Sequence, residues 1–469
     1  MTTPTEPLPP SSAESIAATT QRMRQAFENG VLANPEHRRA VLERLETAIT
    51  QERESLTEAL RIDLGKSDVE AWTTEIGFTL GQIKHALAEL DRWRRPRKVP
   101  LKLQLRPGRA RLQPTPLGTV CVIAPWNYPV QLVLAPVVAA LAAGNTIVVK
   151  PSEIAPATER AVTGMLERHL SDVIGVVNGG AEATTLLLQE RFDHIFYTGN
   201  GRVGRIVMRA AAEHLTPVTL ELGGKSPAIV TESADIDISA RRIAWGKFIN
   251  AGQTCVAPDY VLIPSSLADR FTAALSTAID EFFGADPRLS PDYGRIVNTH
   301  HLTRLQHYLN PDNGRIALGG QIDVADRYLS PTVLRDVPPT APVMDDEIFG
   351  PVLPIITVEN VDGALAEIRS RPHPLALYLF STSVDEQQQV LAATHSGGVL
   401  INHTLLHLAA EDLPFGGIGE SGMGSYHGQA GFDTFSHLRP VMWRPMKPDP
   451  RLLYPPYGRL KQRLLERFL

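Results

Sequence analysis

The sequence predicts an α/β fold of two or more domains, and three observations carry this prediction. The chain has 469 residues, which is too long for one ordinary core when a domain takes roughly 150 residues. From residue 118 onward, short apolar runs alternate with helical patterns, which favours a parallel sheet covered on both faces. A region with the same alternation follows residue 255, so a second α/β domain is expected.

Composition limits the classes of function. A net charge of −5 gives no general attraction for nucleic acid, so no nucleic-acid partner is expected. Two cysteines cannot form a disulfide framework, which indicates a reducing compartment. Residues 1–14 lack the parts of a secretory signal and are rich in small polar residues and proline, so we expect them to be disordered. No apolar run is long enough to span a bilayer, and a cytoplasmic location is therefore expected.

The N-terminal part predicts a helical scaffold followed by a hairpin. Asn34-Pro35 has the form of an N-cap and a first-turn proline, and apolar residues recur after it at helical spacing until Gly65. Residues 69–93 show a second helical pattern. Residues 95–113 alternate apolar and basic side chains around a Pro-Gly turn, which predicts a projecting β-hairpin. Its basic face is compatible with RNA binding, but solvation or contact with a partner subunit is the favoured interpretation.

The alternating region contains short apolar runs that we interpret as strands, at 119–123, 146–149, 173–177, 194–197 and 218–220. The second region has strand patterns at 260–263, 352–358 and 376–380, with helical patterns between them. Residues 459–469 form a short amphipathic pattern, which is too short to span a membrane. It could dock on a partner subunit or lie on a membrane surface.

A glycine-rich segment, Gly199-Asn200-Gly201-Arg202-Val203-Gly204, follows an apolar strand and opens a helix. In that context it is a dinucleotide fingerprint, because backbone N–H groups at a helix N-terminus can bind pyrophosphate closely. The segment therefore predicts a Rossmann-like dinucleotide-binding domain. The general rule for such domains places a ribose-binding acid about 20 residues later, at Glu221.

Two polar segments follow other strands of the same region. Lys150 and Glu153 come directly after one strand, where both could reach a nucleotide ribose, although an exposed charge pair is an equal alternative. Asn127 lies in a loop fixed by two prolines. A side-chain amide there is a neutral donor suited to an oxyanion, unless it only satisfies its own turn.

Cys255 and Glu221 are the candidates for covalent chemistry. Cys255 follows a Gly-Gln-Thr turn and precedes Val-Ala-Pro, so the thiol is expected at a kink after a helix or loop. A thiolate is a strong nucleophile, although a lone cysteine is more often a small buried residue. Glu221 lies between leucines and before two glycines, which predicts a desolvated carboxylate with a raised pKa, suited to a general base. No metal site is expected, because His300 and His301 are adjacent and share no face.

These segments, together with Asp346–Pro351 and the glycine-rich 413–424, occur in an order that resembles the aldehyde dehydrogenase superfamily from about residue 20 to 450. Segments 197–200, 421–428 and 435–437 resemble its class 3 branch. Segments 256–260, 410–414 and 452–458 resemble bacterial coniferyl-aldehyde-dehydrogenase-like members. The resemblance implies oxidation of an aldehyde, either aromatic such as coniferyl aldehyde or medium- to long-chain aliphatic.

The resemblance also implies roles for the reacting residues. Cys255 would attack the aldehyde and form a thiohemiacetal, whose oxyanion Asn127 and the Cys255 backbone N–H would hold. Loss of hydride would leave a thioester, and Glu221 would activate the water that hydrolyses it. Glu221 is therefore assigned to the thioester and not to the ribose. Its presence favours release of a free acid over transfer to coenzyme A.

The cofactor implied by the resemblance is NAD, with NADP possible. Lys150 and Glu153 would bind the adenosine ribose, and the Glu153 carboxylate should repel a 2′-phosphate. Glu347 would bind the nicotinamide ribose and Phe349 would pack near the nicotinamide ring. The remaining cofactor-binding residues implied are Trp126, Thr198, Gly199, Asn200, Gly204 and Leu222.

The resemblance assigns residues 15–94 and 114–223 to the dinucleotide-binding domain and 224–430 to a catalytic domain. Residues 95–113 and 431–450 form a bridging arm that implies a homodimer, and 451–469 form a C-terminal tail. Two alternatives stay open: a cysteine-dependent esterase or thioesterase, and a non-catalytic nucleotide-binding protein on the same fold. Tyr128, Leu405, Leu406 and His407 either line the substrate entrance or only pack.

Overall fold

A computed structural model describes residues 6–338, 340–449 and 451–468. Its α-helices are, in chain order, α1 (Ala13–Glu28), α2 (Pro35–Gln51), α3 (Arg53–Leu64), α4 (Asp68–Ala71), α5 (Gly77–Trp93), α6 (Gln131–Ala143), α7 (Pro156–Leu170), α8 (Ala181–Leu187), α9 (Gly201–Glu213), α10 (Ile236–Phe248), α11 (Ser265–Phe283), α12 (Thr299–Gln306), α13 (Val361–Arg369), α14 (Val384–Ala393), α15 (Gly428–Thr434) and α16 (Arg459–Phe468).

Its β-strands are β1 (Arg97–Val99), β2 (Arg109–Pro116), β3 (Thr119–Ile123), β4 (Thr146–Lys150), β5 (Ile174–Val176), β6 (His194–Thr198), β7 (Val218–Glu221), β8 (Pro227–Val230), β9 (Tyr260–Pro264), β10 (Arg315–Leu318), β11 (Ile322–Asp323), β12 (Tyr328–Leu329), β13 (Thr332–Arg335), β14 (Val352–Val358), β15 (Ala376–Phe380), β16 (Gly398–Ile401), β17 (Gly422–Met423) and β18 (Ser436–Trp443). The predicted α/β class is confirmed.

The first sheet has the strand order β17-β7-β6-β3-β4-β5. Strands β3 to β7 are parallel, and only β17 pairs antiparallel, with β7. The chain passes from β3 through β4 to β5 and then crosses to β6 on the other side of β3. Ligands in such sheets bind beyond the carboxyl ends of the strands, near this reversal of order. This edge therefore positions the segments after β3, β4, β6 and β7 around one cleft.

The N-terminal helices pack on this sheet and begin earlier than the sequence indicated. Ser12 caps α1, and the Ser11 backbone N–H donates to the Asn178 carbonyl at 3.0 Å. Arg160 also donates to the Glu6 carbonyl at 2.9 Å. The expectation of disorder is therefore wrong for residues 6–14. Their composition alone suggests a free chain, but a backbone bond to Asn178 and a side-chain bond from Arg160 of α7 hold the segment in place. Residues 1–5 lie outside the described residues.

Capping chemistry defines the scaffold helices as predicted. The Asn34 side chain accepts from the Glu36 backbone N–H at 3.0 Å, and Pro35 occupies the first helical position. Gly65 ends α3 with φ of 66°, a left-handed conformation that glycine adopts without strain. Between α4 and α5 the chain forms a π-helical turn, Trp72–Ile76.

The second sheet has the order β10-β13-β14-β9-β8-β15-β16 and is parallel except for β10. It carries the second predicted domain. The chain then returns to the first sheet, because β17 pairs with Glu221 and Leu220 of β7. The expected domain boundary at residue 430 is therefore too late, since Gly422 and Met423 already belong to the first sheet.

The predicted hairpin forms, with β1 antiparallel to β2. Strand β18 extends it along the whole length of β2, from Ser436 opposite Pro116 to Trp443 opposite Arg109. The result is a separate three-stranded sheet in the order β1-β2-β18. Within the described ranges, no helix is long and apolar enough to cross a membrane.

Candidate active site

A strained turn presents Cys255. After α10 ends at Phe248, Asn250 and Ala251 adopt φ of 50° and 49°, and Gly252 adopts 75°. Left-handed backbone costs of order 1–3 kcal/mol at each non-glycine residue, so surrounding contacts must hold it. A Cβ on Gly252 would lie 2.3 Å from the Gly350 carbonyl oxygen, which excludes any other residue there. The kink predicted before the thiol is confirmed.

Gln253 holds this turn with its side chain and its carbonyl. Its Nε2 donates to the Asn250 and Arg295 carbonyls, both at 2.9 Å, and its Oε1 accepts from Val297 N–H at 2.9 Å. Its backbone carbonyl accepts from Asn127 Nδ2 at 3.0 Å. A hydrogen bond across 126 residues of sequence therefore brings the Asn127 amide to the cysteine turn.

Asn127 is 2% exposed and lies in the loop after β3. An amide nitrogen has two N–H groups, and one is used on Gln253. The neighbouring Tyr128 hydroxyl bonds to Thr254 Oγ1 at 2.6 Å, which joins the same two loops a second time. The amide is thus rigidly placed next to the residue that precedes the thiol.

Glu221 ends β7 at the carboxyl edge of the first sheet and is 2% exposed. Within the described parts of the chain, neither of its carboxyl oxygens has a hydrogen-bond partner. Burial raises the pKa of Glu221 well above the usual range, as the sequence predicted. An unpartnered buried carboxyl group is costly to maintain, and it suits a base that accepts a proton from water.

The thiol faces two carboxyl groups. Burial is the first cause that raises the pKa of the Cys255 thiol, and the charges of Glu347 and Glu221 add to it. Backbone N–H groups of Cys255 and Val256 oppose the shift. Glu221 therefore lies near enough to Cys255 for its charge to act on the thiol, although the sequence places the two residues in different predicted domains.

Glu347 and Phe349 approach the segments that follow β7 and β3. Burial, followed by the charge of Asp259, raises the pKa of Glu347 to about 8. A Cβ on Gly223 would lie 1.9 Å from Glu347 Oε2, so only glycine allows this carboxylate to approach. Phe349 has φ of 49°, and its ring lies edge-on to Trp126 with centroids 5.3 Å apart.

The comparisons with known proteins agree with this geometry. The model of the family described as "Aldehyde dehydrogenase family" matches residues 3–441. The chain belongs to the aldehyde dehydrogenase family. Aldehyde dehydrogenase family 3 member A2 of Macaca fascicularis is 46% identical over 444 residues, covering 94% of this chain and 91% of that protein. The class 3 resemblance is confirmed by such relatives, and this chain is an enzyme that oxidises aldehydes.

Bacterial members of the family are equally similar. The 4,4'-diaponeurosporen-aldehyde dehydrogenase of Staphylococcus aureus (strain NCTC 8325 / PS 47) is 47% identical over 426 residues, covering 90% of this chain and 93% of that protein. The structure described as the substrate-bound state of Staphylococcus aureus AldH superposes with a TM-score of 0.94 at 44% identity, covering 97% of this chain and 99% of that one. A Mycobacterium tuberculosis aldehyde dehydrogenase complexed with NAD⁺ gives a TM-score of 0.84 at 28% identity, covering 94% and 92%.

Family membership implies a nicotinamide dinucleotide, and the carboxyl edge of the first sheet fits one. Lys150 Nζ contacts Glu153 Oε2 at 2.9 Å after β4, and Thr198 ends β6 opposite Glu221 of β7. Among residues that the structure describes, buried Thr198 Oγ1 has no partner. Asn200 caps α9, and its Oδ1 accepts from the Val203 backbone N–H at 3.0 Å.

Two glycines and a leucine shape the same edge. A Cβ on Gly199 would lie 2.2 Å from the Tyr197 hydroxyl, and one on Gly204 would lie 2.9 Å from Leu222 Cδ2. Glycine at both positions therefore allows Tyr197 and Leu222 to pack closely against this loop and helix. The predicted cofactor residues Trp126, Lys150, Glu153, Thr198, Gly199, Asn200 and Leu222 lie at or just after the carboxyl ends of β3, β4, β6 and β7, and Gly204 lies in the first turn of α9. Phe349 packs on Trp126, and Glu347 approaches Gly223. Their binding of a cofactor stays a prediction.

Sequence reasoning missed several groups at this site. No local motif indicates the hydrogen bonds of Gln253 or the buried ion pair between Lys66 and Glu75. Tyr426 lies in the segment 421–428, and its pKa is raised by burial and then by the charges of Glu221 and Cys255. Pairing of β17 with β7 brings this segment to Glu221.

Proposed function

We propose that this enzyme converts an aldehyde to a free carboxylic acid by covalent catalysis at Cys255. The Sγ thiolate attacks the carbonyl carbon, while the Asn127 amide and the Cys255 backbone N–H hold the oxygen that gains charge. A nicotinamide dinucleotide, when bound, supplies the hydride acceptor. Collapse of the held oxyanion then expels hydride from carbon and leaves an acyl group on Cys255 as a thioester.

Glu221 completes the reaction by taking a proton from water, whose oxygen attacks the thioester carbon. The bond from carbon to Cys255 Sγ breaks, the products are the acid and the Cys255 thiolate, and Glu221 releases its proton to solvent. The unpartnered Glu221 carboxylate supports this role, because its raised pKa makes it a stronger base once ionised. Hydrolysis also distinguishes the enzyme from one that transfers the acyl group to coenzyme A.

The observation that carries the proposal is the hydrogen bond of 3.0 Å from the Asn127 amide to the Gln253 carbonyl in the cysteine turn. The buried Glu221 carboxylate adds to it. The test follows reduction of NAD by absorbance with aromatic and medium-chain aldehydes. Wild-type protein should give a signal, and Cys255→Ala should give none while NAD still binds. Hydrolysis of a nitrophenyl ester without any reduction of NAD or NADP would favour the esterase alternative instead.

NAD is the proposed cofactor over NADP. The Glu153 side chain is 31% exposed and holds its charge next to Lys150, at the position where a ribose would lie. A 2′-phosphate there would bring a second negative charge close to this carboxylate. Glu153 therefore selects against NADP by repulsion, with Lys150 left to bind the ribose hydroxyls.

The proposed substrate is an aromatic aldehyde with a polar ring substituent. Tyr378 donates to the Val256 carbonyl at 2.5 Å, directly after Cys255, and its ring lies 6.2 Å from that of His407. His407 in turn lies 6.3 Å from Phe415. Neither ring nitrogen of His407 has a partner in the described ranges, and burial lowers its pKa to about 4. A neutral imidazole among aromatic rings can donate to or accept from a hydroxyl group.

Replacement of His407 by Phe tests this assignment. The variant keeps the aromatic lining and removes both nitrogens. The specificity constant kcat/KM should fall about three- to tenfold for a hydroxybenzaldehyde, the value of one hydrogen bond, and stay within about twofold for benzaldehyde. Equal losses for both aldehydes would contradict the substrate proposal.

The bridging sheet is proposed to pair with a second copy of the chain. Strands β1 and β18 are its two edges, and Met442 and Trp443 on β18 are 48% and 41% exposed. Open strand edges with exposed apolar side chains invite pairing with another chain. Light scattering should give twice the 51.3 kDa of one chain; a monomer at micromolar concentration would contradict the proposal.

A further inference from the structure

A buried ion pair lies behind the Asn127 loop. Lys66 Nζ and Glu75 Oε1 are 2.5 Å apart, and both side chains are completely buried. Desolvation of two such charges offsets most of their attraction, so a buried pair contributes little to stability compared with apolar side chains of similar size. Glu75 also lies in the π-helical turn Trp72–Ile76, a local conformation that is frequent at functional sites. These features call for a role other than stability.

Glu75 holds the end of the Asn127 loop. Its Oε2 accepts from the backbone N–H groups of Val130 and Gln131 at 2.8 and 3.0 Å. These N–H groups open α6, so the carboxylate also faces the positive end of that helix. The carboxylate therefore fixes the point at which the loop after β3 becomes a helix.

Lys66 holds the centre of the same loop. Its Nζ donates to the Asn127 carbonyl at 3.3 Å and lies 3.8 Å from the centre of the Tyr128 ring. Because Glu75 neutralises it, the ammonium can remain buried against the backbone of Asn127 itself. The two partners of the pair thus bind the loop at residues 127, 128, 130 and 131.

The cysteine turn reaches the same carbonyl. Asn250 Nδ2 donates to the Asn127 carbonyl at 2.8 Å and to the Gln253 carbonyl at 3.2 Å. The Asn250 backbone N–H faces the carboxylate of Glu70, which is 7% exposed and follows Lys66 in the same N-terminal segment. One charged cluster therefore supports both loops that the proposed oxyanion site needs.

We propose that the Lys66–Glu75 pair is a positioning device that fixes the Asn127 amide relative to the backbone N–H of Cys255. This proposal rests on the proposed role of Asn127. The two donors of an oxyanion site must converge on one point, and displacement of about 1 Å is enough to lose much of the rate. The pair touches the backbone of Asn127 and not its amide, so it acts only through placement.

The test is a double-mutant cycle with Asn127. The variant Lys66→Met/Glu75→Gln removes both charges and keeps an amide oxygen for Val130 and Gln131. In the wild-type background, the rate constant of the first-turnover NADH burst should fall about 10- to 100-fold. In the Asn127→Ala background, the same change should alter the burst by less than about twofold, because the group it positions is gone.

Alkylation of Cys255 by iodoacetamide separates placement of the amide from general damage. This displacement at a saturated carbon forms no oxyanion, so its rate should stay within about threefold of wild type. The control variant Glu367→Gln/Arg371→Met removes an ion pair of 2.6 Å between Glu367 on α13 and Arg371 in the loop that follows. This control should leave the burst unchanged. If the double variant does not fold, Lys66→Met alone should show the same dependence on Asn127 with a smaller loss, because Glu75 keeps the backbone N–H groups of Val130 and Gln131 as partners.

Four results would count against these proposals, and they have three different meanings. Equal fold losses in both backgrounds would overturn the positioning role, as would a burst unchanged in the wild-type background. Parallel losses of burst and alkylation would show that the pair only supports the fold. A wild-type protein that reduces no NAD with any aldehyde would overturn the proposed function itself.

Discussion

Replacement of Asn127 by Ala removes the proposed oxyanion donor at low structural cost. The Asn127 carbonyl, which binds Lys66 and Asn250, belongs to the main chain and is retained. The Gln253 carbonyl loses one donor but keeps Asn250 Nδ2 at 3.2 Å. The free energy of unfolding should therefore fall by only about 1 kcal/mol, the net value of one hydrogen bond.

The expected effect on catalysis is much larger. Removal of one oxyanion donor costs about 10²- to 10³-fold in rate, or about 2.7–4 kcal/mol of transition-state stabilisation. Asn127→Asp should be worse, because a carboxylate oxygen in place of Nδ2 would face the Gln253 carbonyl oxygen and the developing oxyanion. The two variants together separate loss of a donor from introduction of a repulsive charge.

Stopped-flow absorbance of NADH measures this effect as the burst rate constant at saturating NAD. Asn360→Ala is a matched control, because Asn360 caps α13 and its Oδ1 accepts from the Gly363 N–H at 3.0 Å. Loss of this cap should lower the free energy of unfolding by a similar amount, about 1 kcal/mol. The control should keep the wild-type burst. A burst in Asn127→Ala within twofold of wild type would refute the oxyanion assignment.

Three further predictions concern pH, cofactor choice and the tail. Burial raises the pKa of both Cys255 and Glu221, and both residues act in their deprotonated forms. The value of kcat/KM should therefore rise from about pH 6 to about pH 9. A flat or falling profile would contradict these roles. Glu153→Gln should raise the preference for NADP over NAD about tenfold, or about 1.4 kcal/mol. The preference is measured as the ratio of the kcat/KM values for the two cofactors. An unchanged ratio would show that Glu153 does not select the cofactor. Helix α16 exposes Leu460 and Leu464 beside basic residues, so the wild-type protein should sediment with anionic vesicles. The variant Leu460→Ser/Leu464→Ser should not sediment with them. Equal sedimentation of both proteins would exclude the tail as a membrane contact.

Local chemistry made much of the fold predictable. Gly65 and Asn34 are a glycine stop and an asparagine cap, and their effects depend only on residues within one helical turn. The apolar runs after residue 118 became parallel strands because burial on both faces requires such runs. Residues 6–14 escaped prediction, since their order depends on hydrogen bonds to Asn178 and Arg160, far along the chain.

The proposed reacting residues could be selected from sequence because each lies in a segment with its own chemical pattern. The residues that hold them in place could not be found from sequence. Lys66 and Asn127 are 61 residues apart, and Gln253 and Asn127 are 126 apart. Such contacts arise only when the folded chain brings distant segments together, so no periodicity or spacing indicates them. The raised pKa of Glu221 was an exception, because its flanking leucines already indicated burial.

The most direct test of covalent catalysis is the mass of the enzyme during turnover in the Glu221→Gln variant. The substitution preserves the size of a buried side chain and removes the proposed base. Protein mixed with NAD and benzaldehyde, then quenched in acid, should carry one benzoyl group, and peptide mapping should place it on Cys255. NADH should form at about one equivalent per chain and then stop. Steady NADH production with no acyl group on Cys255 would contradict the thioester and the role of Glu221 together.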